Sequence, residues 1–172
     1  GQVYEFIQKN NLKLWMDATG AGPDTSIIGN TMERGFGHSP YGDRYAHSCG
    51  YEVVLPSGEV LHTGFGHYAN SKVTEVYKWG VGPSIDGLFT QSNLGIVTKM
   101  TLWLMPAPES FKVVFFMLKT EQDIAEFIER MRPLRMDGTL KSVIHIGNDL
   151  RMVSMSQSYP FAEMENVISL PM

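Results

Sequence analysis

Residues 29–50 place Gly29, Gly35, Gly37, Gly42 and Gly50 among polar and aromatic side chains, with almost no aliphatic residue between them. That spacing excludes a core strand and argues against a helix, because each glycine loses more backbone freedom on ordering than any other residue. A chain accepts that loss where its backbone turns with positive φ or comes close to a bulky neighbour. The expectation is therefore a loop that wraps a large ligand and offers it backbone N–H groups. The alternative is an ordered surface loop between two strands.

The rest of the chain has the material for a core. Of 172 residues, 43% are apolar, an ordinary share for a globular protein. The net charge of −4 and the lack of a Lys/Arg run exclude a nucleic-acid surface. No apolar run approaches the length needed to span a bilayer, so no membrane partner is expected and the location is read as soluble, cytoplasmic. The single cysteine, Cys49, excludes an internal disulfide and reads as a small packed residue. The five histidines form no His-x-x-x-His pair, and no metal site is expected. The chain opens at Gly1 on a helical pattern and closes on Leu170-Pro171-Met172 without a stop signal, so both ends are read as cuts through a larger protein.

Taken in order, Val3, Phe6 and Ile7 recur at helical spacing over residues 2–10, ending at Asn10-Asn11, and residues 12–16 alternate as a strand. Residues 17–24 form a loop whose Gly20-x-Gly22 lacks both the third glycine and the following helix of a dinucleotide fingerprint. The segment Ser26-Ile27-Ile28-Gly29-Asn30 has the short polar groups of a concave anion site. Residues 51–55 and 59–63 flank Pro56-Ser57-Gly58, which predicts a hairpin. A loop is expected over 64–70 and one or two helical turns over 72–79, broken by Gly80-Val81-Gly82-Pro83. A long strand is predicted over 96–105, with Ile96, Thr98, Met100, Leu102 and Leu104 on its apolar face. Past Pro108 the composition shifts. A strand over 111–118 and a strand over 141–146 flank a helix that opens on Thr120 with Asp123 at its third position, buries Ile124, Phe127, Ile128 and Met131, and stops at Pro133. A last helical stretch covers 148–154. Strand, helix, strand reads as the start of a βαβ unit, with a boundary at residues 106–110.

Two stretches carry a resemblance. Gly29-Asn30-Thr31-Met32-Glu33-Arg34-Gly35-Phe36-Gly37-His38-Ser39-Pro40-Tyr41-Gly42-Asp43 and the run from Gly80-Val81-Gly82-Pro83 through Gln91-Ser92-Asn93-Leu94-Gly95-Ile96-Val97-Thr98-Lys99-Met100 closely resemble the vanillyl-alcohol oxidase and para-cresol methylhydroxylase family. Trp103-Leu104-Met105-Pro106 matches too, and the likeness continues more weakly to Arg132-Pro133-Leu134-Arg135. The family implies an α+β chain: the latter half of a PCMH-type FAD-binding domain with a mostly antiparallel sheet over 1–108, then the beginning of the cap or substrate domain over 109–172. It implies FAD as cofactor and hydride transfer from a para-substituted phenol to flavin N5. Carried over residue by residue, it points to Ser26, Gly29, Asn30, Glu33, Gly35, Gly37, His38, Gly42 and Asp43 around the flavin and pyrophosphate, and to Gly95, Ile96 and Val97 along the adenine side. An acidic residue near N5 is expected before Ser26, with Asp17 and Asp24 as candidates and a solvated turn as the alternative for either. The family often has tyrosine at the position of His38. Glu33, Asp43 and Asp86 also read as loop acceptors, and His47 and His62 as surface or packing histidines. No catalytic residue is assigned within the chain, since the family's phenolate-holding and flavin-attaching residues are expected past Met172. A small-molecule substrate is implied, and a homo-oligomer or a cytochrome partner for the full-length protein. The alternatives are an FAD-linked oxidase of 2-hydroxy acids, which would share Ser92-Asn93-Leu94-Gly95-Ile96-Val97, and a non-catalytic binding module.

Overall fold

A computed structural model describes residues 1–158. Helix α1 (Gln2–Lys9) buries Ile7 but leaves Phe6 exposed. It ends where Asn11 adopts φ +50° and the Asn10 side-chain amide donates to the Phe6 carbonyl at 2.8 Å. The predicted strand over 12–16 shrinks to β1 (Leu14–Trp15), paired antiparallel with β5 (Met105–Pro106).

The core lies on a three-stranded antiparallel sheet of order β3-β2-β4, formed by β2 (Ser48–Val54), β3 (Val60–His62) and β4 (Ile96–Leu102). The hairpin expected at Pro56-Ser57-Gly58 is present, with the Gly58 amide donating to the Leu55 carbonyl at 2.8 Å. Met32, Tyr51, Val53 and Phe89 are the buried centre, packed round by Ile28, Tyr45, Ile85, Val97 and Met100. Cys49 is fully buried in β2, as a small packed residue.

Two bulges correct the strict alternation expected of residues 96–105. Val53 faces Val97 while Glu52 faces Lys99, so Thr98 is an extra residue. It flips the phase of β4, and Val97 and Met100 both reach the core while Ile96 and Thr98 face out. On β2 the register slips again between Cys49 and Glu52, where Gly50 takes φ +59°. A Cβ there would also lie 2.9 Å from the Thr74 carbonyl oxygen, so both backbone angle and space select glycine.

Other expectations are narrowed or corrected. Residues 72–79 make a single turn, the lower of the one or two expected, with the Tyr77 amide donating to the Val73 carbonyl at 2.9 Å. Short 3-10 turns occupy Gly64–His67 and Asp86–Phe89. The helix opened by Thr120, α3 (Glu121–Met136), carries the predicted capping box and runs through Pro133 instead of stopping there. None of its residues is fully buried: of the predicted stripe Ile124, Phe127 and Met131 are half-covered and Ile128 is exposed, with Phe127 meeting Phe116 at 5.3 Å between ring centres. Helix α4 (Asp149–Ser156) is capped by Asn148. Residues 111–118 and 141–146 are not strands. A strand exists only by pairing, and neither run has a partner strand among the described residues. No βαβ unit is therefore formed there, and Leu170-Pro171-Met172 lies outside the described residues. Among the described residues no helix is long and apolar enough to cross a membrane.

Candidate functional site

Residues 27–32 are helical, so the glycine-rich loop expected from Gly29 begins inside a helix. Ser26 is extended, and its Oγ accepts from the Gly29 amide at 3.1 Å, which starts α2 (Ile27–Met32). Glycine within the helix was the misleading signal; the Ser-x-x-Gly cap was the signal that would have corrected it. Helix α2 lies beside β4, and Met32 and Ile28 face the core.

Between α2 and the chain 89–97 runs a groove of about 400 Å³, lined by Ser26, Gly29, Glu33, Gly95, Ile96 and Val97 among others. Six of the residues implied by resemblance therefore meet, although they come from two stretches far apart in sequence. Met32, Phe89, Gln91 and Ser92 also line it. They were not singled out, because their contribution depends on how the Asp86–Phe89 turn folds back on α2. Gly95 sits where a Cβ would lie 2.6 Å from Val53 Cγ1, so the chain enters β4 pressed against the core.

The remaining implied residues, Asn30, Gly35, Gly37, His38, Gly42 and Asp43, do not line this groove. The glycine amides turn inward: Gly35 N–H donates to the Asn30 carbonyl at 2.7 Å, Gly37 to Gly42 at 3.0 Å, and Gly42 to Ser39 at 2.9 Å. The Asp43 carboxylate accepts from the Ala46 amide at 2.9 Å, the loop-acceptor role considered for it. His38 stacks obliquely on His145 with ring centres 4.1 Å apart, and its carbonyl accepts from the Val143 amide at 3.0 Å. Burial, His38 and Arg151 all push the His145 pKa down. His47 packs on Tyr41 at 4.2 Å, as a packing histidine, and His62 is exposed.

An anchor holds this loop that sequence reasoning weighed differently. Asp17 is buried, which overturns its reading as a solvated turn residue; Asp24 is exposed. Asp17 Oδ1 accepts from the Ser39 amide at 2.9 Å, and Oδ2 lies 3.9 Å from Arg44 Nε. Arg44 donates to the Asp17 carbonyl at 2.7 Å and to Asn30 Oδ1 at 3.1 Å. A Cβ on Gly37 would overlap the Asp17 carboxylate, so this glycine is needed for close approach. Burial lowers the Arg44 pKa, and Asp17 offsets part of that.

A second buried polar cluster underlies the other wall. Asp86 is 1% exposed and its Oδ2 has no partner among the described residues. Burial raises its pKa, opposed by Thr63 and Lys78. The Lys78 ammonium donates to the Tyr45 and Ser48 carbonyls and sits 4.1 Å from the Tyr45 ring centre. Tyr51 shares a 2.6 Å hydrogen bond with Ser48, and burial drives its pKa up.

No family model matches the chain. Individual relatives do, among them a flavoprotein subunit of a dehydrogenase and a decarboxylase by name. The chain is 43% identical over 150 residues to the 4-cresol dehydrogenase (hydroxylating) flavoprotein subunit of Pseudomonas putida, 87% of this chain and 29% of that one. It is 40% identical over 170 residues to the 1'-carboxy-chondrochloren decarboxylase of Chondromyces crocatus, 99% of this chain and 31% of that one. Among solved structures, substrate-bound p-cresol methylhydroxylase superposes with a TM-score of 0.75 at 44% identity, over 82% of this chain and 27% of the other. The isoeugenol complex of 4-ethylphenol oxidase from Gulosibacter chungangensis gives 0.68 at 40%, over 77% and 25%. The chain belongs to the vanillyl-alcohol oxidase and para-cresol methylhydroxylase family of oxidoreductases, as the two motifs implied, and spans under a third of the length of these relatives.

Proposed function

We propose that this chain is part of an FAD-dependent oxidoreductase that oxidises para-substituted phenols, and that the groove between α2 and residues 89–97 takes part of the extended cofactor. The observation that carries this is the meeting of Ser26, Gly29, Glu33, Gly95, Ile96 and Val97 along one groove. The groove fits a portion of a dinucleotide: apolar Ile28, Met32 and Phe89 offer a surface for a planar ring, and Ser26, Gln91 and Ser92 offer hydrogen bonds at its margin. The Ser26 hydroxyl accepts from Gly29 and keeps its own hydrogen to donate to an anionic oxygen. Gly95 lets the chain lie flush with the core beside that position.

When bound, the flavin supplies the acceptor for a hydride from the substrate carbon. The chain's own residues bind, orient and exclude water. The Asp17–Arg44–Asn30 anchor holds the 35–43 loop that follows α2, in which the Gly35, Gly37 and Gly42 amides are already bonded to the protein's own carbonyls. Residues 1–108 form the cofactor side and 109–172 open the cap. A second subunit is consistent with the term "flavoprotein subunit" in the name of the cresol dehydrogenase relative, and a cytochrome would suit its role.

The test is the visible spectrum of the purified full-length protein, with para-alkylphenols then added under anaerobic conditions. A flavin band bleached by the phenol is expected; a colourless protein that takes up no FAD contradicts the reading. A second reading has one observation in its favour: a relative named as a decarboxylase matches 99% of the chain. Carbon dioxide released from a carboxylated phenol, with no bleaching by alkylphenols, would select it. Bleaching by 2-hydroxy acids alone would select the third class of substrate.

A further inference from the structure

Arg34 is the one residue of the 29–43 motif that combines backbone strain with a long-range side-chain bond. Its φ is +53°, a conformation that non-glycine residues rarely hold without a reason. Its amide caps the end of α2 on the Thr31 carbonyl at 3.0 Å. Its guanidinium crosses to the 85–92 segment and donates twice to Thr90 Oγ1, from Nε at 3.1 Å and Nη2 at 3.0 Å. Thr90 Oγ1 in turn donates to the Gly87 carbonyl at 2.9 Å. One hydroxyl has two lone pairs and one hydrogen, so its bonding capacity is used in full. The same two segments are joined by the Gln91 amide on the Met32 carbonyl at 2.9 Å and by Gln91 Nε2 on the Glu33 carbonyl at 3.3 Å. Met32, Glu33, Phe89 and Gln91, each one or two residues from the Arg34–Thr90 bond, line the groove. Arg34 and Thr90 do not line it.

We propose that the Arg34–Thr90 pair is the clamp that sets the spacing of the two groove walls, and that Arg34 is a positioning residue for the dinucleotide. The inference rests on the groove being the cofactor's site. It accounts for the strained backbone: the left-handed residue at the end of α2 carries the side chain that reaches the 85–92 segment, and a guanidinium can give one hydroxyl two donors at once. A turn that needed nothing but positive φ would be served better by glycine.

The experiment uses the full-length protein, with FAD as the probe, in three variants. Arg34→Gly keeps the turn and removes the guanidinium; Thr90→Val keeps the shape and removes the acceptor; Thr90→Ser keeps the hydroxyl. FAD affinity and the visible circular dichroism of the bound flavin are read, together with the melting temperature of the FAD-free protein. Arg34→Gly and Thr90→Val are expected to weaken FAD by about tenfold or more and to alter the flavin dichroism, as fits the loss of charge-assisted hydrogen bonds. Thr90→Ser restores both, and FAD-free melting stays near that of the wild type throughout. Wild-type affinity and dichroism in Arg34→Gly and Thr90→Val overturn the clamp. So does loss of FAD-free folding in both, because the pair would then hold the domain rather than the groove. If the wild type takes up no FAD, the functional reading falls and the positioning role falls with it; if the wild type binds and the variants bind equally, the clamp alone falls.

Discussion

Two runs that both read as strands in the sequence meet opposite fates. Residues 48–54 form the central strand of the sheet, with Tyr51 and Val53 fully buried. Residues 111–118 are richer in large apolar side chains, yet Phe115 is 85% and Met117 91% exposed. Hydrophobicity does not separate them. β2 has β3 on one edge and β4 on the other, so its amides and carbonyls are paired and its side chains have α2 and the Asp86–Phe89 turn to cover them. The later run has neither an edge partner nor a covering layer among the described residues. The same contrast holds for charges: Asp17 and Arg44 are enclosed, whereas Glu126 and Arg130 of α3 pair at 2.6 Å in solvent.

The contrast can be broken most forcefully at the enclosed pair. Arg44→Met strands the Asp17 carboxylate and is expected to lower unfolding free energy by about 3 kcal/mol in a urea titration, while Arg130→Met costs about 0.5 kcal/mol or less. Equal losses at the two positions would mean that the loop anchor holds nothing. Next come the apolar runs. Val53→Ala should cost about 2 kcal/mol and Phe115→Ala about 0.5 kcal/mol or less. A large loss at Phe115 would show that the later run is packed after all.

Cap loss is smaller. Thr120→Ala removes the acceptor for the Asp123 amide at 3.2 Å and should cost about 1 kcal/mol of α3 stability, read from hydrogen exchange in its first turn. Unchanged exchange there would place α3's stability elsewhere. Asp86→Asn sharpens the comparison through pH. Burial raises the Asp86 pKa above its ordinary 3.8, so its contribution is fully present below 3.8 and is lost as pH rises through the raised value. The variant should match the wild type in acid and gain on it as pH climbs above 3.8. A wild-type advantage that grows with pH would reverse the sign and mean that Asp86 is paired as an anion.

The sequence was most legible where one local rule decides the outcome. The Pro56-Ser57-Gly58 hairpin and the Thr120–Asp123 capping box follow from short-range bonding. It was least legible where a distant partner decides. The bulge at Thr98 depends on β2, and the burial of Asp17 depends on Arg44 across 27 residues. Pro133 looked like a stop, but it only removes one donor late in a helix already held by its cap. At the site, Gly95, Ile96 and Val97 were legible through a motif, whereas Phe89 and Gln91 needed the folded turn to be placed.

The account turns on the groove between α2 and β4. Ile96 lines it, is 71% exposed and points away from the core, so Ile96→Glu puts an anion at the cofactor's position without disturbing the sheet. The full-length variant should melt like the wild type when free of FAD and purify without the flavin band. A variant that keeps a full complement of FAD, with an unshifted flavin spectrum, would show that the cofactor lies somewhere else.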